Sequence, residues 1–101
     1  MKLLIVTVVE EYKKIVLDLF KKAQIDNFSG SEIEGFKNQS SFLMTSSWFP
    51  SDKGGVESIM FFSFTEEEKI RVFFDLIKAY NSNLTTNNPI KAVVLPIEKS
   101  I

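Results

Sequence analysis

Two stretches of this sequence share the same order, a continuous apolar run followed at once by a helical pattern. The apolar runs are residues 2–9 and 56–64. Neither run alternates apolar and polar residues, so each is typical of a strand that is buried on both faces. After each run, apolar residues recur every three or four positions, as in an amphipathic helix. These helical positions are Tyr12, Ile15, Val16, Leu19, Phe20 and Ala23 in the first half, and Ile70, Phe73, Phe74, Ile77 and Tyr80 in the second.

Two further strand patterns complete the chain. Residues 28–36 alternate loosely and include Gly30 and Gly35, which suit bends or a close approach of two backbones. Residues 90–97 form a last apolar run. The order predicts an α+β, ferredoxin-like βαββαβ fold, with a four-stranded antiparallel sheet, two helices on one face and a long loop between strands 2 and 3. At 101 residues we expect a single domain, 1–101.

The strand pattern also predicts an assembly. Two helices cover only one face of a sheet, yet the run 59–62 places apolar side chains on both faces. Left exposed, the second face would exceed the apolar patch that monomeric proteins usually tolerate. Either the long loop folds back over this face or another subunit covers it, and we expect another subunit.

The long connection, residues 37–55, has no regular pattern but contains several aromatic residues. Irregular segments of this length inside a small domain are usually functional or mobile. One interpretation is a β-hairpin extension with an ordinary hydrophobic cluster. The other is a mobile recognition loop in which Phe42, Trp48 and Phe49 bind a partner.

Composition excludes several kinds of site. The chain has no histidine and no cysteine, which excludes thiolate or imidazole metal sites, cysteine nucleophiles and Ser-His dyads. A net charge of −1 and a single arginine, Arg71, argue against nucleic-acid binding. No segment resembles an export signal or an apolar membrane span of about 20 residues. We therefore expect a cytoplasmic protein without membrane insertion, catalytic residues or a metal site.

Three polar groupings have both a functional and a structural interpretation. Glu32 and Glu34 share one face of a strand and could hold a ligand amine, but a solvated strand face is commoner. Residues 87–88, both asparagine, together with Lys91 could contact an anion or simply form a polar turn. Residues 65–68, Thr-Glu-Glu-Glu, predict a helix capping box rather than a cation site.

Three short motifs, in order, resemble those of one protein family. The chain opens with MKLLIVT, residues 31–36 read SEIEGF before the long connection, and residues 93–98 read VVLPIE near the end. The second motif is similar to the Thr-Glu-Val-x-Gly-Phe-Gly ending of the second strand in the PII superfamily of trimeric signalling proteins. The third is similar to the Leu-Pro-Val-Glu ending of short PII-like proteins. The resemblance spans nearly the whole chain and identifies it as a divergent, non-classical member.

The resemblance implies where a ligand and a partner would bind. Residues 37–55 stand at the position of the partner-binding T-loop of the family. A small ligand, a nucleotide or another metabolite, would lie in a cleft between subunits of a homotrimer. The implied ligand contacts are Gly35, Phe36, Lys37, Gln39 and Asn88, with Gly35 and Lys37 as hinge and contact and with Trp48 and Phe49 as partner anchors.

Two departures from the family pattern argue against ATP binding of the typical kind. Typical members read Gly-Phe-Gly-Arg-Gln where this chain has GFKNQ at residues 35–39, so the second glycine and the arginine are missing. The loop at 81–88 lacks the glycines and the lysine that contact phosphate in relatives. The segment 37–55 also contains no tyrosine that could be modified. The cofactor or ligand is therefore unknown from the sequence.

The implied function is a non-enzymatic regulator that controls a partner through the segment 37–55, and a membrane transporter is one candidate partner. The alternative is a small ferredoxin-like oligomeric enzyme, of the cofactor-free oxygenase or isomerase type. Such enzymes usually place a His, Asn or Tyr in a pocket between sheet and helices. This chain has no histidine, and Tyr12 and Tyr80 fall on the apolar stripes of the helices.

Overall fold

A computed structural model of the chain describes residues 1–36, 56–84 and 88–101. These residues form six main elements in the predicted order: β1 Lys2–Val9, α1 Lys13–Lys22, β2 Ser29–Gly35, β3 Val56–Thr65, α2 Glu67–Ser82 and β4 Lys91–Pro96. A 3-10 turn, Glu10–Tyr12, joins β1 to α1. The predicted T-loop-like segment 37–55 lies outside the described residues.

The four strands form one sheet in the order β2-β3-β1-β4, and every neighbouring pair is antiparallel. In the centre of the sheet, Val6 of β1 lies opposite Phe61 of β3 on one side and Ala92 of β4 on the other. The sheet and the two helices confirm the predicted α+β, ferredoxin-like fold.

The face of the sheet that packs against the helices, here the inner face, carries the core. Its β1 residues Leu4, Val6 and Val8 are fully buried, and Ile59 and Phe61 of β3 are only 3% exposed. The helices contribute Val16, Leu19, Phe20, Ile70, Phe73 and Ile77 to the same cluster. Their spacing of three and four residues is the one that the sequence predicts for two amphipathic helices.

Aromatic rings fill the space between the sheet and the helices. Phe20 of α1 stacks between Phe28 and Phe73, with ring centroids 4.4 and 4.6 Å away. Phe61 meets Phe20 edge-on at 5.5 Å. Phe20, near the end of α1, contacts Phe73 in the first half of α2. Tyr12, just before α1, contacts Tyr80 near the end of α2. The two helices therefore run antiparallel across the inner face.

The opposite face of the sheet, here the outer face, is also apolar but is not covered by a helix. It carries the apolar side chains of Leu3, Ile5, Met60, Phe62, Phe64, Val93 and Leu95 and the polar, fully buried Thr7, at positions that alternate with the inner-face residues. Phe64 is 54% exposed and Leu95 is 40% exposed. The predicted apolar character of both faces is confirmed.

The ends of the helices differ from the sequence prediction. The capping box predicted at residues 65–68 is wrong, because Thr65 is the last residue of β3 and pairs with Lys2. The N-cap of α2 is Glu66, which makes no side-chain capping bond. A strand that continues to Thr65 holds that backbone in the sheet, so the threonine is not free to cap the helix.

The end of α1 forms a turn without glycine. Gln24 has a φ of 60°, a left-handed conformation that usually favours glycine. The amide of Ile25 donates to the carbonyl of Phe20 at 2.9 Å, and that of Gln24 to Lys21 at 3.0 Å. These two bonds are the Schellman pattern, which satisfies the last carbonyls of a helix.

Candidate ligand site at one end of the sheet

Four element ends meet at one end of the sheet, here called the loop end. β1 finishes there at Val9, which pairs with Ser58 near the start of β3. β2 finishes there at Gly35, opposite Val56. β4 begins there at Lys91, opposite Thr7. Both connections that the resemblance assigns to ligand binding, after Gly35 and before β4, therefore leave or enter the sheet at the same end.

At the loop end, the predicted ligand contacts Gly35 and Asn88 lie at opposite margins of the sheet. Strand β2 and strand β4 are the two margins of the sheet, with β3 and β1 between them. Three strand spacings put the two margins about 14 Å apart. A ligand that contacts both Gly35 and Asn88 must therefore reach across the ends of β3 and β1, or lie between two copies of the chain.

On the β2 side, two of the predicted contacts are described. Gly35 is buried as the last residue of its strand, whereas the next residue, Phe36, is 59% exposed. An aromatic side chain this exposed is available to stack against a ligand or a second chain. The predicted contacts Lys37 and Gln39, and the partner anchors Phe42, Trp48 and Phe49, lie outside the described residues.

On the β4 side, Asn81 fixes the entry to the strand. Its side-chain amide donates to the carbonyl of Ile90 at 2.9 Å, and its Oδ1 accepts from the amide of Ile90 at 2.9 Å. The paired bonds close the connection that carries Asn88, which is half-buried. Sequence reasoning took Asn81 only as a sign that the helix ends. Its nine-residue separation from Ile90 gives no local signal for this contact.

Carboxylates dominate the electrostatics of the β2 side. Glu10, Glu32, Glu34 and Glu57 line a cleft of about 440 Å³, and Glu34 lies directly opposite Glu57 in the ladder. Like charges in this position destabilise a sheet slightly and repel an approaching phosphate. No group of carboxylates in the described ranges is arranged to hold a metal ion.

A second groove lies at the opposite end of the sheet, and sequence reasoning did not identify it. It has a volume of about 390 Å³ and lies where the α1–β2 connection meets the end of β3, next to Phe62 and Phe64 of the outer face. The hydroxyl of Ser63 donates to the carbonyl of Asn27 and holds the two segments together. No local sequence pattern predicts this groove, because it depends on residues 36 positions apart.

The enzyme alternative requires a polar group that faces a pocket between the sheet and the helices. Phe20, Phe28, Phe61 and Phe73 occupy that space. Tyr80 packs edge-on against Tyr12 at 6.3 Å, outside the stack. Burial, followed by the neighbouring Tyr12 and Glu11, raises the pKa of Tyr80. A tyrosine that resists ionisation is a poor general base at neutral pH.

Comparison with solved structures supports the fold, whereas comparison with family models and curated proteins finds no match. Among solved structures, the chain is similar to CPII, a nitrogen regulatory PII-like protein from Thiomonas intermedia K12, bound to ADP, AMP and bicarbonate. The two share 13% identity with a TM-score of 0.63, over 99% of this chain and 94% of that one.

The chain is thus an α+β protein with a ferredoxin-like fold, and this fold is similar to that of a solved PII-like protein. The resemblance predicted from the sequence motifs is confirmed at the level of the fold. No helix in the described ranges is long and apolar enough to span a membrane.

Proposed function

We propose that this chain is a divergent PII-like regulatory protein that assembles as a homotrimer, binds a small ligand in clefts between copies and signals to a protein partner through residues 37–55. The observation that carries the proposal is the match to a PII-like nitrogen regulatory protein over nearly the full length of both chains. Three short motifs at the expected positions support it independently.

The outer face supports the assembly. Phe64, Val93 and Leu95 are 36–54% exposed in the isolated chain and belong to β3 and β4, the two strands on either side of β1. Covering such a surface releases about 25 cal/mol for each Å² of apolar area removed from water. A second and third copy that present the same face can cover it symmetrically, whereas the helices already cover the inner face.

The loop end supports the ligand cleft. Gly35 and Asn88 lie at opposite margins of the sheet, so a ligand shared by two copies can contact the β2 margin of one and the β4 margin of the next. The similar protein was bound to ADP, AMP and bicarbonate, and these three are the first ligands to test. We expect ATP to bind weakly, because residues 81–88 lack glycine and lysine and the β2 side is acidic.

The partner is proposed to contact Trp48 and Phe49. Aromatic residues of this kind dominate many protein interfaces. Ligand binding at Lys37 and Gln39, at the root of this segment, would change the conformations open to it and thereby the affinity for the partner. A membrane transporter is the candidate partner that the resemblance suggests.

The test combines assembly with ligand binding. Sedimentation of the purified chain should give the mass of a trimer, and calorimetry should detect AMP, ADP or bicarbonate. Gln39→Ala and Asn88→Ala should each weaken binding about tenfold or more, the cost of one polar contact of about 1.4 kcal/mol. Asn83→Ala is the matched control, since in the described part of the chain that exposed side chain donates to the carbonyl of Ala79 at the helix end.

Two outcomes would contradict the proposal. A stable monomer would show that the outer face is covered in another way. A dimer that turns over an apolar substrate with oxygen, and that none of the three ligands stabilises, would favour the enzyme alternative.

A further inference from the structure

The solvent side of α1 is strongly basic. The helix contains four lysines and one aspartate, and all five side chains are exposed. Lys14, Lys21 and Lys22 follow the spacing i, i+7 and i+8, which places them on one face, with Asp18 between them. The whole chain carries a net charge of −1, so this helix concentrates positive charge that the rest of the molecule offsets.

These lysines are not explained by contacts within the chain. Among the described residues, the ion pair within 4.0 Å joins Lys2 to Glu67 and involves no lysine of α1. Lys21 and Lys22 lie in the last turn, where the helix dipole favours cations. Lys13 and Lys14 lie in the first turn, where the dipole disfavours them. The helix dipole therefore favours two of the four lysines and disfavours the other two.

The basic face is also accessible. It points away from the inner face, because Val16, Leu19 and Phe20 of the same helix are buried against the sheet. It lies on the opposite side of the molecule from the outer face. Assembly through the outer face would leave it in contact with solvent, so the following inference goes beyond the proposed function and does not depend on it.

We propose that the lysine face of α1 binds electrostatically to an anionic lipid surface, without insertion. The exposed face of α1 offers point charges on flexible stems, with no arginine and no exposed aromatic residue. Protein interfaces usually depend on buried aromatic or arginine anchors. A charged lipid surface requires only several lysines within a Debye length, and their contributions accumulate. The exposed lysines of α1 therefore meet the requirement of a charged lipid surface rather than that of a protein interface.

The experiment is co-sedimentation of the full chain with vesicles. One set contains equal parts of phosphatidylglycerol and phosphatidylcholine, and the other contains phosphatidylcholine alone. We expect binding to the anionic vesicles at low salt and its loss near 1 M salt, where the Debye length falls to about 3 Å. Lys14→Glu/Lys21→Glu should reduce the bound fraction at least about tenfold. Arg71→Glu/Lys78→Glu, on the exposed side of α2, makes the same change in net charge and should retain most binding.

Several results would overturn the inference. These are equal binding to neutral vesicles, no binding to anionic vesicles, or equal losses in the α1 and α2 variants. Tighter binding of soluble polyglutamate than of anionic vesicles would assign the face to an acidic protein segment instead. Thermal melts verify that the variants fold, and Lys14→Gln/Lys21→Gln, which should also weaken vesicle binding, replaces the charge reversal if it unfolds.

Discussion

The two faces of one sheet have similar residues but different surroundings. On β1, Val6 of the inner face is fully buried, whereas its neighbour Ile5 of the outer face is partly exposed. On β3, Phe61 is 3% exposed and Phe64 is 54% exposed. The difference comes from the helices, which cover one face only. An apolar strand residue is thus buried or exposed according to what packs on it, and hydrophobicity alone does not tell the two faces apart.

The largest expected effect comes from placing a lysine on each face in turn. Phe61→Lys inserts a charge among packed aromatic rings and should unfold the chain, at a cost of several kcal/mol. Phe62→Lys places the charge on the outer face, where it should dissociate the proposed assembly into weakly stable monomers. Sedimentation and thermal melts of both variants distinguish these outcomes. If the Phe62→Lys variant remains a native-like oligomer, the outer face is not the interface.

A smaller effect is expected at the contact between Asn81 of α2 and Ile90, the residue just before β4. Asn81→Ala removes both bonds to Ile90, whose backbone groups are then left buried without these partners. The expected loss is about 1–3 kcal/mol of unfolding free energy, together with faster hydrogen exchange at the Ile90 amide. Asn83→Ala, with one exposed bond to Ala79, should cost much less. Equal losses in the two variants would contradict a special role for Asn81.

A third prediction tests how tightly the inner face is packed at the sheet margin. A Cβ atom added at Gly30 would lie 3.0 Å from Cδ1 and Cε1 of Phe61. The ring of Phe61 is held edge-on by Phe20 and Phe28, so it has little room to move. Gly30→Ala should destabilise the chain by about 1–3 kcal/mol in urea unfolding. Ser31→Ala, an exposed neighbour on β2, should change the stability by less than about 0.5 kcal/mol.

The smallest expected effect concerns Tyr80, which lies outside the stack of phenylalanine rings between the sheet and the helices. Because the folded state raises the pKa of Tyr80, the protonated phenol is favoured there, and this contribution is complete below the unfolded pKa of about 10. It is lost as the pH rises through the folded pKa. Tyr80→Phe should therefore flatten the loss of stability between about pH 9 and about pH 11. Urea unfolding at each pH measures the stability, and tyrosinate absorbance measures the ionisation. If Tyr80→Phe leaves the dependence of stability on pH unchanged, burial does not hold the phenol neutral.

How far the sequence predicts the structure depends on the range of the interactions. The strands and helices were predictable because their signals, at Leu4, Val6 and Phe20 for example, repeat within a few residues. The capping box failed because Thr65 is held by its long-range pairing with Lys2. Gln24 was not identifiable as a left-handed residue, since a glutamine in this conformation depends on the packing of Ile25 and Phe20 around it.

The candidate site shows the same division. The motif at residues 31–36 pointed to Gly35 and Phe36, but it could not show that β2 and β4 lie at opposite margins of the sheet. The bonds between Asn81 and Ile90 and the acidic cleft around Glu57 also appear only in the folded chain. Each involves residues that are distant in sequence and have no local pattern.

Residue type and spacing were enough to predict which residues form strands and helices, that both faces of the sheet are apolar, and which metal and nucleophile chemistries the absence of histidine and cysteine excludes. These properties depend on residue type and on periodicity, which are local. The folded chain was needed to show which face the helices cover, where Gly35 lies relative to Asn88, and which polar side chains hold the connections in place. Those properties arise from the strand order and from contacts between residues far apart in the chain, which only folding brings together.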